Sequence, residues 1–228
     1  MQPLIVVQCR LMSTRLPGKA LYPLAGLPLL VFLLRRLRAA SLPGRIILAT
    51  TIQAADDPVA AWGEAEGVPV VRGESEDVLA RYLRCLALYP ASAVVRVTAD
   101  NPLTDGDTAA KVLEALRSGR WDYVSAVNGY PCGAGVDGFS AELLETINRE
   151  TLEKRHREHL NAFVLDHPYR FRRLEIAPPP ELTRPDVRLT IDTFEDWTRI
   201  VNLLGADNGC AYTLDLKDAI ERFDQADL

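Results

Sequence analysis

Short, fully apolar runs alternate with longer stretches of helical spacing along the first half of the chain. Residues 3–8 contain Leu4-Ile5-Val6-Val7, apolar at every position, which predicts a strand buried on both faces. Residues 45–51 (RIILATT), 68–72 (VPVVR), 93–98 (AVVRVT) and 123–126 read the same way. Between them, residues 28–38, 58–66, 76–88 and 107–117 have helical character. In the third of these, Val78, Leu79, Tyr82, Leu83 and Leu86 recur at the spacing of one helix face. Pro28 opens the first helix and Arg35, Arg36 and Arg38 crowd its end, as the helix dipole favours. Strands alternating with helices predict a mostly parallel, doubly wound sheet in a three-layer α/β/α arrangement.

From Asn128 the pattern changes. Residues 130–138 (YPCGAGVDG) read as a glycine-rich loop, 141–161 as one long charged helix and 169–176 as an exposed strand. Pro178-Pro179-Pro180 is a rigid connector, after which 187–191 (VRLTI) reads as a core strand and 194–204 as a helix. The expected organisation is a single domain over 1–228 with an inserted, peripheral subregion at about 128–180.

The chain has 228 residues, 48% hydrophobic and 25% charged, with a formal charge of -5. That length sustains a core without staples. The acidic balance argues against bulk nucleic-acid binding, though not against a local cluster of arginines. Four cysteines, Cys9, Cys85, Cys132 and Cys210, show no zinc or CxxC spacing and are expected as free thiols in a reducing compartment. No signal peptide is read at the start, and the apolar stretch 27–34 contains Pro28 and is too short to span a membrane. A soluble, cytoplasmic protein is expected.

Three places carry candidate chemistry. The stretch 8–19 follows the first strand and holds Arg10, Ser13, Thr14, Arg15, Gly18 and Lys19. In a doubly wound sheet it lies at the ligand-binding edge, and guanidinium forks with a lysine suit a polyphosphate. It lacks the glycine spacing of a Walker A loop, and a solvated basic turn remains the alternative. Asp100 follows the strand 93–98 and Asp192 follows 187–191. Either is also suited to capping a helix or turning the chain. Together, two aspartates on one edge fit the oxygen-rich shell of magnesium shared with substrate phosphates.

These segments resemble cytidylyltransferases that make CMP-activated acidic sugars, most nearly the SpsF-like group of spore coat polysaccharide biosynthesis. Residues 8–19 are similar to that family's QARxxSTRLPGK. Residues 71–79 are similar to FRGSEDDVL, 95–105 to VRITGDCPLID, 157–159 to REH, and 188–196 to RLTVDTPED. The likeness spans nearly the whole chain in order. It implies a nucleotidyltransferase-type fold and transfer of CMP from CTP to an acidic small molecule, with magnesium and release of pyrophosphate.

The resemblance further implies that Arg10, Ser13, Arg15 and Lys19 hold the CTP phosphates, with Arg10 and Lys19 stabilising the departing pyrophosphate. Arg72 would lie near the cytosine, and Asp100 and Asp192 would bind the metal. Arg157 and His159 would face the acceptor, and a homodimer through the 141–161 stretch is expected. Some positions depart from the family. Ala99 and Asn101 stand for its Gly and Cys, Gly135 for an Asp and Asp137 for a Glu. Asn101 and Asp137 are therefore expected to shape an altered acceptor pocket. A metal-dependent glycosyltransferase and a catalytically silent nucleotide-binding module are the competing readings.

Overall fold

A computed structural model of the protein describes residues 1–205 and 210–225. Its main sheet has seven strands: β1 (Leu4–Gln8), β4 (Arg45–Thr51), β5 (Val70–Gly73), β6 (Ala93–Thr98), β7 (Tyr123–Ala126), β8 (Val136–Ser140) and β9 (Arg173–Glu175), in the order β5-β4-β1-β6-β8-β7-β9. β5, β4, β1 and β6 run parallel, while β8 is antiparallel to both its neighbours. The chain leaves β1 towards β4 and β5, then returns to the other side of β1 as β6. The strand order therefore reverses between β1 and β6, which opens a crevice beyond their carboxyl ends.

Alternation along the strands builds a core on each face. Ile5, Val7, Val95 and Val97 face α1 (Leu29–Ala39), α2 (Asp57–Ala65) and α4 (Gly106–Arg117). Leu4, Val6, Val94 and Phe139 face α3 (Val78–Leu88), α5 (Ala141–Glu150) and α7 (Ala162–Asp166). A third core lies on the far side of α1. There Leu29 and Phe32 meet a small hairpin, β2 (Pro23–Leu24) with β3 (Leu27–Pro28), and the helices α8 (Phe194–Leu204) and α9 (Leu216–Gln225). The helix starts are written locally: Asp77, Asp105, Ser140 and Thr193 each accept a backbone N–H of the helix that follows. No helix among the described residues is long and apolar enough to cross a membrane.

Three segments differ from expectation. The glycine-rich stretch 130–138 does not stay a loop, because Val136–Ser140 enters the sheet between β6 and β7. Gly138 makes this possible: a Cβ there would lie 2.7 Å from Leu116 and 2.9 Å from Val112, so its absence lets α4 lie close on β8. The charged stretch 141–161 is broken after Glu150. Thr151 turns extended, and its hydroxyl accepts the N–H of Glu153 and pairs with His156 Nδ1 before α6 (Lys154–Glu158) begins.

The third segment, 187–191, is extended but is no ladder strand. It forms one bridge, Cys132 with Arg188, and donates the Ile191 N–H to Asp100 O at 2.8 Å. Its apolar residues, Val187, Leu189 and Ile191, fill the third core. The hairpin β2–β3 and helix α9 carry no expectation from the sequence. Residues 128–180 supply β8 and β9 to the main sheet as well as α5, α6 and α7.

Gly138→Ala should lower stability by about 1–3 kcal/mol through overpacking against α4. A melting temperature lower by several degrees would report it, since about 2–4 °C accompanies each kcal/mol in a chain of this size. An unchanged melt would mean that α4 can shift without cost.

Candidate functional site

The crevice at the strand reversal is lined by the loop after β1. That loop is held from below by Asp56, whose buried carboxylate accepts the Leu11 N–H at 2.7 Å and the Thr51 hydroxyl. The N–H groups of Ser13 and Gly18 both turn back to Leu11 O at 2.8 Å, folding the loop on itself. Gly18 takes a left-handed conformation, φ 75°, and so turns the chain into the short 3₁₀ turn Lys19–Leu21. Lys19 thereby enters the cleft instead of pointing to solvent.

Its ammonium is the centre of the site. Lys19 Nζ donates to Asp100 Oδ2 at 2.9 Å, to Asp192 Oδ1 at 3.2 Å and to Ile191 O at 2.6 Å. Arg15 reaches Asp192 Oδ1 at 2.8 Å, and Arg188 reaches Asp192 Oδ2 at 2.8 Å. Two aspartates 92 positions apart in the chain thus face one point. The Ile191 to Asp100 backbone bond explains why, since it fixes residues 187–192 against the end of β6.

Two clefts meet here. One, of about 330 Å³, is lined by Gln8, Arg10, Ser13, Lys19, Asp100 and His159 among others. The second, of about 370 Å³, is lined by Asn101, Gly135, Asp137, Arg188 and Thr190 among others. Arg15, Arg96, Thr98, Asp100 and Asp192 border both. Each cleft has the size of a small-molecule site. The period of two along 187–192 sends Arg188, Thr190 and Asp192 to the second cleft while their apolar neighbours go inward.

Not every expected residue lies at the clefts. Arg10, Ser13, Arg15, Lys19, Asp100 and Asp192 come together, with Arg10 at the mouth beside Glu76 (3.4 Å) and Glu158 (3.6 Å). Arg72, expected near the base, holds the carbonyls of Thr51 and Gln53 and pairs with Asp57; it borders neither cleft. Arg157, expected on the acceptor side, is bound to Asp77 and Asn148 and also borders neither. It ties α6 to the capping residue of α3. Asn101 donates to Thr98 Oγ1 at 2.9 Å within the second cleft. Gly135 has no room for a side chain, since a Cβ would lie 2.1 Å from Ala126 O.

Sequence reasoning passed over Arg96, Arg188 and Asp56. Both arginines left a signal: each is a charge inside a mostly apolar, strand-like run, AVVRVT and VRLTI, where an enclosed charge such as Arg96 has to be matched by a partner. Arg96 pairs with Asp137 through two bonds of 2.8 and 2.9 Å. Cys9 lines the first cleft but is no nucleophile. Burial, reinforced by the Asp56 and Asp100 carboxylates, pushes its thiol far above the ordinary range.

Among the described residues no three His, Cys, Asp or Glu side chains form a metal site by themselves. The donor set nonetheless fits a hard divalent cation that takes its remaining oxygens from phosphate and water. Asp100 and Asp192 already share one cationic group, the Lys19 ammonium.

A phosphate-sized basic loop and paired carboxylates at the reversal point of a parallel sheet define an α/β nucleotide-binding enzyme. The chain belongs to the cytidylyltransferase family, whose sequence profile matches residues 4–228. It is 33% identical over 202 residues to the spore coat polysaccharide biosynthesis protein SpsF of Bacillus subtilis, covering 86% of this chain and 84% of that protein. It is 37% identical over 126 residues to the 3-deoxy-manno-octulosonate cytidylyltransferase of Brucella ovis, covering 54% of this chain and 49% of that one. A solved cytidylyltransferase from Leptospira borgpetersenii superposes with a TM-score of 0.92 at 28% identity, over 100% of this chain and 95% of that one.

Asp196 supports the site without entering it. It completes a capping box with Thr193 and accepts Arg188 Nε at 3.0 Å. Burial would raise its pKa, but Arg188 and the N–H groups of Asp192 and Thr193 outweigh burial and hold it at about 2. A depressed carboxylate stabilises the fold fully above its unfolded pKa of about 4, and that contribution is lost as pH falls towards 2. Asp196→Asn should therefore cost on the order of 2 kcal/mol at neutral pH and flatten the acid limb of a melting-temperature profile between pH 4 and 2. An acid limb of unchanged slope would assign that pH dependence to other groups.

Proposed function

We propose that this protein transfers CMP from magnesium-bound CTP to an acidic small molecule, a sugar acid or a related acid, and releases pyrophosphate. The observation that carries the reading is the convergence of Lys19, Asp100 and Asp192 beneath the basic loop. Membership of the cytidylyltransferase family supplies the base, the name of the octulosonate relative supplies the sugar-acid class, and that of SpsF supplies polysaccharide biosynthesis.

In this reading the triphosphate lies in the first cleft. Arg10, Ser13, Arg15 and Lys19 bind its oxygens, and the acceptor enters the second cleft beside Asn101 and Asp137, with His159 at the border of the first. The acceptor oxygen attacks the α-phosphorus in line. One P–O bond forms there as the bond to the β-phosphate oxygen breaks; the electron pair leaves with pyrophosphate, and a hydroxyl acceptor gives its proton up to solvent. Such a reaction depends mainly on positioning and on neutralising charge where it develops.

Asp100 and Asp192 would hold the divalent ion, which when bound polarises the phosphate and acceptor oxygens. Lys19 and Arg15, which pair with these carboxylates, also line the first cleft and would share their N–H donors with the phosphate oxygens. Arg72 and Arg157 act at one remove, by fixing the segments that border the nucleotide and the acceptor.

Asp100→Ala, Asp192→Ala and Lys19→Ala should each lower pyrophosphate release about 10²–10³-fold, the range for removing one preorganised charge-stabilising group. The measurement is pyrophosphate release from each of the four nucleoside triphosphates with a panel of sugar acids, alongside circular dichroism to confirm folding. Near-normal turnover in a folded variant removes that residue from the machinery. Release of a nucleoside diphosphate from a sugar nucleotide, without use of CTP, would overturn the reading.

A further inference from the structure

Asp137 stands in the second cleft where an acceptor contact is expected, yet its carboxylate is already engaged. Oδ1 accepts Arg96 Nε at 2.8 Å; Oδ2 accepts Arg96 Nη2 at 2.9 Å and the Tyr123 hydroxyl at 3.2 Å. The residue is 3% exposed. Arg96 on β6 and Asp137 on β8 are direct partners across the antiparallel ladder, so the sheet itself sets their separation. The guanidinium is thereby locked in orientation.

The lock leaves one edge open. Asp137 takes the side formed by Nε and Nη2, and Nη1 makes no hydrogen bond to any described residue. Arginine offers five N–H donors, and the end bearing Nη1 and Nη2 can still grip a carboxylate. Arg96 borders both clefts at their junction. It is also the most enclosed of the three arginines that line the second cleft, with its side chain 19% exposed against 40% for Arg188 and 63% for Arg15. Those two are bound to Asp192, the carboxylate on the phosphate side. Arg96, Thr98 and Asp100 follow one another at every second position, and all three border both clefts.

We propose that Arg96 is the anchor for the acceptor's acid group, and that Asp137 and Tyr123 are positioning residues that present its open edge. The acceptor class follows: a small molecule whose carboxylate lies a short reach from the attacking oxygen, so that Arg96 takes the acid while the oxygen lies towards Asp100. This rests on the CMP-transfer reading above. It also reassigns Asp137 from acceptor ligand to support.

The test uses isothermal titration of the full chain. In one arm, CTP with magnesium is titrated into the wild type and into the double variant Arg96→Gln with Asp137→Asn, which avoids leaving a buried carboxylate unpaired. In the other, 3-deoxy-manno-octulosonate and its neutral C1 carboxamide are titrated in the presence of magnesium and an α,β-methylene analogue of CTP. The wild type should prefer the acid about 10–100-fold, the size of one hydrogen bond to a charged group. The double variant should lose that preference while its CTP affinity stays within about threefold. Asp137→Asn alone, with Arg96 present but less firmly held, should lose part of it.

A preference that survives in the double variant, or is missing in the wild type, overturns the anchor while CTP binding upholds the nucleotide site. A wild type that does not bind CTP overturns the transferase reading itself.

Discussion

One ammonium group holds the site in register. Lys19 Nζ, from the first loop, is shared by Asp100 just beyond β6 and by Asp192 and the carbonyl of Ile191 in the segment before α8. Two carboxylates at one point would repel each other, and the repulsion is large where water is partly excluded. A lysine 11% exposed between them removes it. Arg15 and Lys19 of the first loop are thereby paired with carboxylates at the junction of the two clefts, so the positive charge of the loop is fixed in place there.

The same geometry depends on two extended segments laid side by side. Asp100 lies two residues beyond β6, and residues 187–192 are fixed to it by one backbone hydrogen bond and to Cys132 by one bridge. Alternation does the rest. Val187, Leu189 and Ile191 are drawn into the third core, so Arg188, Thr190 and Asp192 have to face the cleft. The hydrophobic effect acting on three apolar side chains thus places the polar ones between them.

Much of this was legible in the sequence because the signals were local. The parallel strands β1, β4, β5 and β6 showed as apolar runs, and the loop 8–19 showed its cations beside them. What escaped notice depended on distant partners. β8 looked like loop because Gly135 just before it and Gly138 within it carry no propensity for a strand; α4 lying against Gly138 and the Ala126 carbonyl against Gly135 explain them. The long helix over 141–161 failed at Thr151, whose side chain competes for the backbone. Residues 187–191 had the composition of a core strand, yet their backbone partners are Cys132 and Asp100, beyond the strand ladder, and they form one isolated bridge there. Arg72 and Arg157 sit in motif-like stretches but hold neighbouring segments, a difference that depends on side-chain direction and not on residue type.

The third core gives the enzyme an unusual dependence. Asp192 rides on a strip whose inward half is seated among Leu203 and Leu204 of α8, Ile220 of α9 and Phe32 of α1. The helices α8 and α9 therefore hold the strip that carries Asp192, although α9 borders neither cleft. Loosening that seat would free the strip that carries Arg188, Thr190 and Asp192, whereas Lys19 and Asp100 keep their own attachments on the loop after β1 and just beyond β6.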